Sequence, residues 1–179
     1  MLTAKYLLVP FIFLIGLVVA APIGDRSTEL DLLTREPNLK QLGQALTTAV
    51  KIKAKLKPPT NGAVFWSGQK KGAHGPESVI HDAAKFAKDH GKQTLEQGLE
   101  KSKIRIPDRK ENPHSDKLWK VASKTWADRS KGETHAIVGG TVRPNSIWNT
   151  VEKPKLMSSK KVTKITEHNV DTKTSKVTK

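Results

Sequence analysis

The sequence predicts an α/β domain, a small, mostly parallel sheet covered by helices, with a short helical N-terminal segment ahead of it. Three observations carry this. From Asn61 onward, short apolar runs bounded by Gly, Pro, Asn and Ser alternate with longer stretches of helical spacing. Those stretches are long enough to serve as crossovers, so the strands they join are expected to run parallel. Cysteine is absent, so packing alone must hold the domain.

The chain opens with Met1-Leu2-Thr3-Ala4-Lys5, a short basic start, followed by a nearly all-apolar run from Tyr6 to Ala21. Val18-Val19-Ala20-Ala21 offers small side chains to a signal peptidase. This pattern predicts a signal peptide over 1–20, cut after Ala20 so that Pro22 stays off the cut itself. The apolar run is short for a bilayer span, which takes about 20 such residues. No transmembrane anchor is therefore expected, and the mature chain is expected to be secreted and extracellular; an uncleaved signal anchor is the alternative.

Residues 21–60 read as a helical and basic leader. Leu39, Leu42, Ala45, Leu46, Ala49 and Val50 recur at helical spacing on a segment that ends at Pro58-Pro59. Lys51, Lys53, Lys55 and Lys57 alternate with small or apolar residues, as on a solvated helix end or an extended basic ribbon.

The domain proper is expected over 61–170. Ala63-Val64-Phe65-Trp66 is a buried strand between Asn61-Gly62 and Ser67-Gly68. After a Gly- and Lys-rich loop, Pro76 and Glu77 make a favourable first helical turn. Val79, Ile80, Ala83, Ala84, Phe86 and Ala87 give that helix its apolar stripe, and Gly91 its stop. Gln93-Thr94-Leu95 is the next strand. A second helix starts near Asn112-Pro113-His114-Ser115 with Ser115 as N-cap, packs through Leu118, Trp119, Val121, Ala122 and Trp126, and ends at Gly132. Thr134 to Val138 is another strand, Gly139 to Pro154 a loop, and Val162 to Val170 a last strand. Residues 171–179 form a flexible basic tail, expected to fray.

The 32 Lys and Arg against 17 Asp and Glu give a formal charge of +15. Such a charge favours acidic partners, whether nucleic acid, anionic lipid or a phosphorylated metabolite. Without cysteine, zinc-finger, thiol-nucleophile and redox chemistry are excluded. His74, His81, His90, His114, His135 and His168 show no metal-binding spacing. There is no P-loop and no Gly-x-Ser-x-Gly, and Gly139-Gly140 reads as a turn.

Trp66 stands at the end of the first strand. In an α/β sheet, ligands bind in the crevice beyond the strand carboxyl ends. An indole there either closes the sheet end or offers a flat face to a ligand ring, best to a cationic one. Glu96 follows Gln93-Thr94-Leu95 and is expected at the same edge, and Glu152 lies in the loop that leaves the strand ending at Val138. Taken singly, each carboxylate reads first as a solvated surface group. Together, a carboxylate facing an aromatic wall suits glycosidic cleavage, whose oxocarbenium-like state carries positive charge. Trp119 and Trp126, seven residues apart on one helix face, read as core packing.

Five short pieces follow one another in an order of their own. They are Val64-Phe65-Trp66-Ser67-Gly68, then Thr94-Leu95-Glu96, then Asn112-Pro113 with Leu118-Trp119-Lys120-Val121-Ala122-Ser123-Lys124, then His135-Ala136-Ile137-Val138, and finally Asn145-Ser146-Ile147-Trp148 with Val151-Glu152. From about Asn61 to Leu156 this order resembles the ADP-ribosyl cyclase and NAD glycohydrolase family. The resemblance implies a secreted NAD-cleaving enzyme that takes NAD as substrate and needs no cofactor. It implies that Trp66 stacks on the nicotinamide or the ribose-bound ring and that Ser67 and Ser146 contact phosphate. Glu96 would hold the nicotinamide end and steer attack by water or by an internal nitrogen, and Glu152 would be the catalytic carboxylate. A second tryptophan is implied after Pro107-Asp108, where this sequence has Arg109, so either Trp148 takes over that wall or the nicotinamide site is open on one side. Two other readings stay open: a catalytically inactive NAD- or ADP-ribose-binding protein, and a basic toxin that binds nucleic acid through its charged surface.

Overall fold

The computed structural model of the chain describes residues 38–179. The expected signal peptide, 1–20, and the leader as far as residue 37 lie outside the described residues.

Helix α1 (Leu39–Lys55) starts where the Asn38 side chain accepts the amide of Lys40 at 3.0 Å. It stops short of Pro58-Pro59, which cannot donate. Ala45, Ile52 and the following Leu56 are buried, while Lys51, Lys53 and Lys55 point to solvent. Strand β1 (Ala63–Ser67) is buried at every position but Trp66, which is half-buried.

Where a loop and a first helical turn are predicted, the chain instead forms an antiparallel hairpin, β2 (Gln69–Gly72) and β3 (Gly75–Ser78). Lys70 faces Glu77 across it, an opposite-charge pair that favours the ladder. Pro76 fits because a two-stranded ribbon leaves edge positions that need no donor. Helix α2 (Ile80–Asp89) therefore begins after Pro76 and Glu77, not on them.

Strand β4 is only Gln93–Thr94, and Leu95 already opens helix α3 (Leu95–Lys101). The cause is a capping box. Thr94 accepts from the Gln97 amide while the Gln97 side chain accepts from the Thr94 amide, at 3.3 and 2.9 Å. His114 occupies the N-cap position of helix α4 (Ser115–Arg129) without a side-chain capping bond, so Ser115 is the first residue of the helix and not the cap. The Ser115 hydroxyl contacts the carbonyl oxygens of Pro107 and Asn112, at 2.6 and 2.7 Å.

Strand β5 (Gly132–Val138) takes Gly132 as its opening residue. The segment expected as a loop contains a wide π turn, Trp148–Glu152, that runs directly into helix α5 (Lys153–Ser158). Strand β6 spans Val162–Asn169. The tail does not fray: β7 (Thr174–Val177) pairs antiparallel with β6, and the Lys179 ammonium donates to the carbonyls of Leu156, Met157 and Ser159 at 3.1, 2.9 and 2.6 Å. Those carbonyls belong to the end of α5 and the residue beyond it, which has no further turn to satisfy them.

The main sheet has the order β4-β1-β5-β6-β7, parallel except for β7. Alternation along the strands sends Ala63, Phe65, Ala136 and Ile165 into one core with α1, α3, α4 and α5. Val64, Trp66 and Ile137 go to the other face, against Val79, Ala83 and Ala87 on and beside α2. His135 and His168 meet on that second face with ring nitrogens 3.0 Å apart, a pairing their spacing of 33 residues conceals. From β1 the chain crosses to β4 on one side, and from β5 to β6 on the other. The loops leaving β1 and β5 thus diverge and open a crevice at the carboxyl end of the sheet.

Candidate active site

That crevice holds a cavity of about 690 Å³, a volume suited to a nucleotide-sized ligand. Its walls come from the ends of β1 and β4, from α4, and from the chain after β5. Gly68 makes the first of these bends with φ +89°, and a Cβ there would lie 2.4 Å from the Thr141 carbonyl oxygen. The close approach is used: Gln69 and Thr141 exchange backbone hydrogen bonds at 2.9 and 3.2 Å, stitching the two divergent loops together below the opening.

All six residues singled out from the sequence line this cavity. Trp66 is one residue from the end of β1, and its Nε1–H donates to Glu96 Oε1 at 2.9 Å. Glu96 reaches that position from the first turn of α3 and not from a strand end, because the capping box turns the chain at Thr94. Its second carboxylate oxygen, Oε2, is buried with no hydrogen-bond partner among the described residues. An acceptor buried without a donor is costly, which leaves this oxygen free for a ligand donor or a bound water.

Glu152 ends the π turn and is buried, only 6 % exposed. Burial pushes its carboxyl up to about 7; the neighbouring Ser123 hydroxyl pulls the other way, and the charge of Glu96 adds a further upward push. The two acids therefore sense one another across the cavity.

Ser67 is the buried last residue of β1, and Gly139 N–H donates to its carbonyl at 3.0 Å. Ser146 is half-buried at the start of the π turn. Its Oγ accepts from the Asn149 amide at 3.3 Å and its carbonyl accepts from the Thr150 amide at 3.0 Å, so it also anchors the turn that carries Glu152. Trp148 is 2 % exposed and packs its ring 5.6 Å from that of Phe65, forming a fixed wall.

Two residues escape the sequence reading. Trp119, expected as core, does pack against it but is only half-buried and also lines the cavity, whereas Trp126 on the same helix is fully buried. The helix runs from the cleft into the core, so one face serves both. Ser123, four residues beyond Trp119, shares its side of α4 and meets Glu152. The interval Trp119-x-x-x-Ser123 was the available signal. Arg109 is exposed, pairs with Asp116 at 2.6 Å, and is not among the lining residues. Trp148 and Trp119 both stand in the aromatic lining of the cavity. Arg143 adds an exposed cation at the rim.

Three indoles and two acids in one crevice can hold a flat cationic ring and stabilise positive charge developing beside it. Among the described residues no group of three or more His, Asp or Glu is placed to hold a metal ion.

No protein-family profile and no curated protein sequence matches the chain. Among solved structures, Aplysia cyclase complexed with substrate NGD and product cGDPR is 24 % identical, over 62 % of this chain and 49 % of that one, with a TM-score of 0.45. An ADP ribosyl cyclase complexed with N1-cIDPR is 20 % identical over 70 % and 64 % of the two chains, with a TM-score of 0.46. CD38, in a study of a conformationally flexible covalent enzyme-substrate complex, is 19 % identical over 68 % and 62 %, with a TM-score of 0.40. The chain spans 49 % to 64 % of the length of these proteins.

Proposed function

We propose that this chain cleaves NAD, hydrolysing it to nicotinamide and ADP-ribose, with cyclisation as a minor path. The observation that supports the reading most is the buried Glu152 carboxylate in a cleft walled by Trp66, Trp119 and Trp148. In the reaction the bond from the ribosyl carbon to the pyridinium nitrogen breaks and its electron pair goes to the nitrogen. Nicotinamide leaves neutral, so no strong acid is required, and the positive charge passes to the ribosyl group. Glu152 as carboxylate stabilises that charge. Water then adds to the ribosyl carbon and gives up a proton.

A carboxyl held at about 7 is partly ionised at neutral pH, and a cationic substrate beside it favours the ionised form further. Glu96, fixed by the Trp66 indole, receives the nicotinamide end through its free oxygen. Ser67, Ser146 and Arg143 border the remaining space and would meet the diphosphate. We also propose that the protein works outside the cytoplasm, on the strength of its N-terminal sequence.

The test is NAD consumption by the chain from Ala21 onward, with products separated. Nicotinamide and ADP-ribose are expected from the wild type, and Glu152→Gln is expected to abolish both while the far-UV circular dichroism is kept. Unchanged nicotinamide release in that variant would reject the role of Glu152. Saturable NAD binding without any product would reduce the protein to a binder.

A further inference from the structure

Helix α1 carries an apolar surface that the cleft does not use. Leu39, Leu42, Leu46 and Val50 follow one line along it, and they are 84, 37, 61 and 66 % exposed. Ala45, Ala49 and Ile52, on the neighbouring face, attach α1 to the core. Leu42 borders the packing face, while Leu39, Leu46 and Val50 turn away from it. Leucines left in water at regular helical intervals call for a partner.

The charges say which partner. From Leu39 to Lys57 every charged residue is a lysine: Lys40, Lys51, Lys53, Lys55 and Lys57. A second copy of the chain would bring two wholly positive helices together, on a protein whose formal charge is already +15. A nucleic acid would satisfy the lysines and leave the leucines wet. An anionic bilayer surface satisfies both, because acyl chains take the apolar stripe while the long lysine stems reach the headgroups. Among the described residues no helix is long and apolar enough to cross a membrane.

We propose that α1 lies in the surface of an anionic lipid membrane, with Leu39, Leu42, Leu46 and Val50 among the acyl chains and the α1 lysines at the headgroups.

The test is co-sedimentation of the chain from Ala21 onward with phosphatidylcholine vesicles, alone or carrying about 30 % phosphatidylserine. Partition is expected only with the anionic vesicles, and it should weaken as salt rises toward about 1 M. Leu46→Glu with Val50→Glu should lower it by at least about tenfold, with far-UV circular dichroism unchanged. Leu46→Ser with Val50→Ser, which adds no charge, should lower it in the same direction. Absence of partition, or partition undiminished in the serine variant, overturns the proposal. So does a concentration-dependent dimer that the serine variant abolishes, or an RNA complex that requires the same leucines.

Discussion

Replacing Glu152 by Gln tests the site through stability, independently of any substrate. The carboxyl titrates at about 7 in the fold against an ordinary 4.5, chiefly because burial penalises the charge. A folded-state value raised above the unfolded one means that folding favours the protonated form. The favourable contribution is complete below about 4.5 and is lost as pH rises through about 7. The displacement corresponds to about 3 kcal/mol, charged against the fold at alkaline pH. Gln keeps the shape, offers Ser123 a carbonyl oxygen in place of the carboxylate, and does not ionise. At pH 5 the two proteins should therefore differ little. At pH 8 the variant should be the more stable by about 2–3 kcal/mol, or some 8 °C in midpoint, roughly, for a domain of this size. Denaturant and thermal unfolding at both values measure it. A stability difference that does not change with pH, or a variant weaker than wild type at pH 8, would show that Glu152 is not a desolvated acid and would remove the basis for its role.

Three further outcomes are expected. Ser123→Ala removes the neighbouring hydroxyl that draws the Glu152 carboxyl down, so the acid limb of the pH–rate profile should move to higher pH; an unmoved limb would dissociate the two residues. Gly98→Ala places a Cβ 2.5 Å from Cζ3 of the fully buried Trp126, and should cost about 1–3 kcal/mol in denaturant unfolding. Truncation after Asp171 removes the β7 ladder and the Lys179 contacts and should cost at least about 2 kcal/mol. A stability equal to that of the full chain would restore the tail to a loose end.

What could be read in the sequence was whatever local pattern dictates. The apolar run at Val64-Phe65-Trp66 and the stripe from Val79 to Ala87 became β1 and the face of α2, because burial and periodicity agree there. The parallel sheet followed from the lengths between strands. The errors fell where a short-range signal competed with the period. Thr94 and Gln97 form a capping box inside what reads as a strand, and Pro76 looks like a helix start although Lys70 and Glu77 pair it into a hairpin. At the candidate site, strand ends placed Trp66, Glu96 and Glu152 at one sheet edge, although Glu96 arrives there from the first turn of α3. Trp119 could not, since a seven-residue interval puts it on the same face as the core residue Trp126 whichever of the two meets the cleft. The meeting of His135 and His168 was hidden for another reason, because cross-strand register is a tertiary property.

Helix α5 joins two distant parts of the chain. Its first residue follows Glu152 directly, and the Lys153–Glu167 ion pair at 2.8 Å moors that end to β6. The other end is held by the Lys179 ammonium. The acid thus sits at the tip of a short lever whose far end is clamped by Lys179. Loss of the Lys179 ammonium would therefore loosen the far end of the same short helix that carries the buried acid at its near end.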